Sequence, residues 1–168
     1  RFRNTYLTAL RSGNTKWAVD FISEFENEII NQGGRNVVDM AYSHCLFEAG
    51  EYEKALQKLS KIRTNELYLK FDVRNIALMC HYELGNTETV LSQARSYLQF
   101  IRNNEDLPAD YAEKSQRFAS SLQGLVLLKE KKDIAGLEGL HKEACGYAID
   151  RKMDWIVDKT REAIGKLK

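Results

Sequence analysis

Apolar residues recur along this chain at helical spacing, and nowhere in strict alternation. Over residues 36–49, Val38, Ala41, Tyr42, Cys45, Leu46 and Ala49 fall at i, i+3, i+4, i+7, i+8 and i+11, which puts one apolar stripe on an α-helix. Gly50 follows and ends it, because glycine tolerates the positive φ of a helix C-terminus. Ala55, Leu56, Leu59 and Ile62 then form a second stripe, and so short a link makes the two helices antiparallel.

The device recurs 35 residues later. Val73, Ile76, Ala77, Cys80 and Leu84 repeat the first stripe, Gly85 repeats Gly50, and Val90, Leu91, Ala94, Tyr97 and Leu98 repeat the second. Val38/Val73, Cys45/Cys80, Glu48/Glu83, Gly50/Gly85 and Leu56/Leu91 are identical at that offset, where chance supplies about one match. Backwards, Gly13 stands for Gly50, and Ala18, Val19, Ile22 and Phe25 stand for the second stripe, so residues 1–11 read as a clipped first helix. Forwards, a longer helix starts near Pro108 and carries Ala119, Leu122, Leu125 and Val126. KEKKD (129–133) makes the bend, and Ala135, Leu137, Leu140 and Ala144 begin the return helix. Met153, Ile156, Val157, Thr160, Ile164 and Leu167 form a last stripe, suited to cap the array. The expected organisation is one all-α repeat domain, with units over 1–31, 36–63, 66–103 and 108–148 and a capping helix over 152–168. Gly33-Gly34, Arg63–Glu66 and Asn103–Leu107 read as the loops between units.

In "AGEYEKAL", Gly50, Tyr52 and Ala55 resemble the turn and second-helix start of a tetratricopeptide repeat, where glycine bends the chain, the aromatic wedges between helices and alanine admits close approach. That family's period of about 34 residues is similar to the spacing here. Asp39 and Ser43 replace the family's tryptophan and glycine, and Leu67 its closing proline, so the repeats are degenerate. The resemblance implies about four antiparallel hairpins stacked as a right-handed α-α superhelix. It also implies a concave groove lined by the first helix of each unit, and a non-catalytic role in holding partner proteins.

On that geometry the face opposite each stripe becomes the candidate site. It presents Met40, His44, Phe47 and Glu48 from one unit, Asp72, Asn75, Met79, Tyr82 and Glu83 from the next, and Ser121 and Leu125 further on. Methionines and aromatics interleaved with polar groups suit an adaptable binding surface. The expected partner is a protein or peptide. The alternative is a structural spacer or oligomerisation segment of a larger regulatory protein, dimerising through the closing helix. Met40 and His44 occupy the first pair of positions where carboxylate-gripping relatives place a lysine and asparagine clamp, so that mode is not expected.

Composition and charge narrow the rest. Lys+Arg (25) nearly balance Asp+Glu (24), giving a net charge of +1 and no global field for nucleic acid or an anionic membrane. The clusters Lys129, Lys131, Lys132 and Lys159, Arg161, Lys166, Lys168 have acidic residues interleaved and read as solvated surface. No apolar run is long enough to span a bilayer. The chain opens RFRNTYLTAL, without Met or a signal-peptide pattern, which reads as a piece excised from a longer protein. Three cysteines with apolar neighbours read as reduced, buried thiols, hence a cytoplasmic location.

Catalysis finds little purchase. His44-Cys45 and Cys80-His81 are adjacent, so their side chains point about 100° apart and cannot share an ion. Only His141 and Cys145, at i and i+4, share a face, and two ligands do not complete a zinc site. Gly33-Gly34 lacks the strand and lysine of a phosphate loop. The expectation is no enzyme, no metal and no cofactor.

Overall fold

The computed structural model describes residues 1–168 as nine α-helices and no strand. They are α1 (Phe2–Arg11), α2 (Thr15–Asn31), α3 (Arg35–Glu48), α4 (Tyr52–Leu59), α5 (Leu67–Glu83), α6 (Thr87–Arg102), α7 (Ala109–Glu130), α8 (Ile134–Cys145) and α9 (Arg151–Leu167). The chain divides into two compact units, Arg1–Gly85 and Asn86–Lys168.

Most helices are joined by one repeated bend. The residue after the C-cap takes a left-handed conformation, and the next residue opens the following helix. At Gly50 (φ 76°) the N–H donates to Phe47 O at 3.0 Å, and the N–H of Glu51 donates to Leu46 O at 2.9 Å. This is a Schellman closure, which satisfies carbonyls the helix end leaves open. Gly13 and Gly33 make the same pair of bonds, and Gly85 has the same φ. Gly33-Gly34 is thus a fifth instance of the bend rather than a looser loop. At the last of the five bends along the chain, the left-handed residue is Lys132 (φ 54°), again with bonds to Lys129 O and from Asp133 to Leu128 O. A side chain in that region costs roughly 1–2 kcal/mol. Asp133 offsets part of it by capping α8, its carboxylate accepting from Gly136 N at 2.8 Å.

In the first unit, α3 is the central element. It packs on α1, α2, α4 and α5, and α2 and α4 pack on α1 and α5 respectively. Ala18, Ala41 and Ala55 are fully buried, so small side chains stand where these helices approach. The core joins Tyr6, Leu10, Ile22, Val38 and Cys45, with Phe2, Phe21 and Tyr42 against it. The polar replacements Asp39 and Ser43 are both accommodated. Asp39 lies 3.4 Å from Lys58 Nζ on α4, and Ser43 donates to the carbonyl of Asp39 at 2.8 Å. Buried polar groups partnered in this way avoid the desolvation penalty.

In the second unit α7 packs on α6, α8 and α9, and α9 also packs on α8. Phe118, Leu122, Leu125, Leu137 and Ile156 fill the interior, and Phe118 meets Trp155 at a tilt of 56°, 6.4 Å between centroids. Met153, Ile156, Val157 and Thr160 of the last stripe are buried as expected, whereas Ile164 and Leu167 are only half-buried. Two alanines assigned to stripes, Ala49 and Ala135, are exposed, because each sits at a helix end beside a bend. No helix is long and apolar enough to cross a membrane.

Candidate functional site

The face opposite the stripes of α3 and α5 does not stay open. Met40, His44, Phe47, Asn75 and Met79 are each no more than 8% exposed, so these five side chains lie inside the chain rather than on its surface. The reason is visible in α3, where eight of fourteen residues are buried. A helix with neighbours on several sides buries more than one face, and the stripe alone no longer tells inside from outside.

Specific contacts close this face. Tyr6 on α1 places its hydroxyl 3.1 Å from His44 Nδ1, with the rings 5.8 Å apart. Arg3, also on α1, reaches across to Asp72 on α5 at 2.7 Å. Phe47 packs against Tyr52 across the bend at Gly50, with the ring centroids 5.5 Å apart. The rim is what remains accessible: Glu48 is exposed, and Asp72, Tyr82 and Glu83 are half-buried. In the second unit, Ser121 and Leu125 are buried.

Burial also determines the state of the ionisable groups here. The Cys80 thiol is pushed up to about 12, first by burial and then by the nearby Glu83 carboxylate, so it stays protonated and inert at neutral pH. His81 is shifted down by burial, which favours its neutral ring. No group of three or more His, Cys, Asp or Glu side chains stands close enough to hold a metal ion.

The most exposed large apolar side chain of the first unit lies on α2. Trp17, Phe21 and Phe25 follow one another at i, i+4 and i+8 along α2, with Phe25 shared with the Ala18–Ile22 stripe and Phe21 packed against the core. Trp17 and Phe21 are stacked 5.2 Å apart, and Phe21 and Phe25 are tilted at 5.0 Å. Phe2 of α1 stacks on Phe21 at 5.5 Å. Trp17, at the end of this ladder, is 51% exposed. Beside it a shallow hollow of about 500 Å³ is lined by Arg1, Asn4, Thr5, Thr8, Ala9 and Trp17. The signal for this surface is present in the sequence as an aromatic i, i+4, i+8 series, on the second helix of a hairpin rather than on the first helices that would line a groove.

Comparison of the chain with protein families, with curated proteins and with solved structures finds no match.

Proposed function

We propose that this chain is a non-catalytic protein–protein interaction module built of tetratricopeptide-like helical hairpins, which holds a peptide or a neighbouring domain. The repeated left-handed bend and the contacts of α3 with α1 and α5 support stacked helical hairpins in the first unit. The observation that carries the binding role is the aromatic ladder Trp17–Phe21–Phe25, ending in a half-exposed tryptophan next to a hollow with hydroxyl and amide groups. A rigid aromatic anchor flanked by polar groups is what a protein contact uses for most of its energy. The rim of Glu48, Asp72, Tyr82 and Glu83 supplies polar contacts, while Met40, His44, Phe47, Asn75 and Met79 are buried and do not meet a partner directly.

The alternative is a spacer that dimerises through the closing helix. α9 turns Met153, Ile156 and Val157 inward, while Arg161, Glu162 and Lys166 face out. The deciding experiment compares the protein with its Trp17→Ala variant in cross-linking and pull-down against its native extract. Loss of partner capture with an unchanged helical circular dichroism spectrum is expected. Capture that persists unchanged would remove the ladder from the binding surface. A concentration-dependent dimer in sedimentation, abolished by substitutions in α9, would favour the spacer.

A further inference from the structure

Two of the three thiols, Cys45 and Cys80, are buried, and Cys145 is exposed at the end of α8. Cys145 does not stand alone. One turn earlier on the same helix, His141 is held between two groups. Its Nδ1 lies 2.8 Å from Thr160 Oγ1 on α9, and its Nε2 lies 3.7 Å from Cys145 Sγ.

The surroundings of Thr160 favour hydrogen on Nδ1 of the ring. Thr160 Oγ1 is 3.0 Å from the carbonyl oxygen of Ile156 and 2.9 Å from that of Val157. A carbonyl can only accept, so the single hydroxyl proton goes to these oxygens. In that arrangement Oγ1 accepts from His141, whose Nδ1 bears the hydrogen. That leaves Nε2 with its lone pair, aimed at the thiol. Thr160 is fully buried, so the orienting group is fixed by packing, while the sulfur faces solvent. Nucleophile, base and a third group that orients the base are the three parts of an activated thiol.

We propose that Cys145, with His141 as its base and Thr160 as positioning residue, is a site of reversible modification by low-molecular-weight disulfides. The Cys145 thiol gives its proton to His141 Nε2, and the sulfur attacks one sulfur of the disulfide RS–SR. The Cys145 S–S bond forms as the RS–SR bond breaks. The departing thiolate takes the proton back from His141 and leaves as RSH. The Cys145 sulfur is oxidised, the leaving sulfur is reduced, and His141 ends as it began. Access separates this thiol from the other two.

The test uses the native chain with oxidised glutathione as probe, read by intact mass and peptide mapping against time. One adduct is expected, on Cys145, with Cys45 and Cys80 unmodified. His141→Gln should slow the reaction by about tenfold or more. Thr160→Val should slow it as well, whereas Thr160→Ser, which keeps the acceptor oxygen, should restore it. Thermal melts show that each variant is folded. Should Thr160→Val unfold, the His141→Gln and Thr160→Ser rates decide alone. Equal rates in the native protein and in His141→Gln overturn the proposal. So does a native Cys145 that reacts no faster than in the urea-unfolded chain, or an adduct that falls on Cys45 or Cys80.

Discussion

Lys132 shows how one residue can depart from a rule the rest of the chain obeys. Gly13, Gly33, Gly50 and Gly85 take the left-handed conformation without a side chain to clash, and Lys132 takes it with one. Lys132→Gly should therefore stabilise the protein by about 1 kcal/mol, net of the greater entropy glycine has when unfolded, read as a shift in the urea midpoint. The sequence located this bend from the charge run 129–133 but could not assign the left-handed residue, since no glycine marks it. Tyr6 makes a second point at this scale. Its hydroxyl meets His44 inside the first unit, and Tyr6→Phe should cost about 1 kcal/mol, measured by the same titration. Two further groups link stability to pH. Tyr42 is raised to about 12 by burial and then by its hydrogen bond to Glu26, and Cys80 is raised to about 12 by burial and Glu83. Both folded values lie above the ordinary ones of 10.0 and 9.0, so the unfolded chain loses these protons first. Their contribution is complete below pH 9 and declines as pH rises through 9 to 12. Tyr42→Phe should flatten the upper part of that decline in pH-dependent melts.

Among the elements, α3 and α9 mark the limits of reading faces from periodicity. The α9 stripe was legible because α9 packs on its neighbours with one face, and its outer side is charged. Ile156 sits at the centre of that stripe with no exposure, so Ile156→Ala should cost about 2–5 kcal/mol in the stability of the second unit. Helix α3 has the stripe the repeat demands and is buried on its other face as well. Met40, His44 and Phe47 read in the sequence as a binding face, and in the structure they are buried against protein. Adaptable side chains suit a core gap as well as a binding surface, and composition does not distinguish the two.

For the molecule as a whole, the two compact units are the fact with most consequence. The first has its own contiguous core running from Tyr6 to Cys45. A fragment of residues 1–85 should accordingly remain helical and unfold cooperatively on its own, checked by circular dichroism and a thermal melt. Partner capture, on the reading proposed above, should travel with this fragment, because Trp17, Phe21 and Phe25 all lie in it.

Sequence alone determined the all-helical class, the bends at Gly13, Gly50 and Gly85, and most of the buried stripes. These follow from local physics: a 3.6-residue period and the steric freedom of glycine at positive φ. Tertiary structure alone decided which polar groups meet. Thr160 joins His141 across nineteen residues and Arg3 joins Asp72 across sixty-nine, contacts that no local pattern encodes. It also decided which second face is covered, because burial depends on how many neighbours a helix has, and that number is a property of the packed molecule.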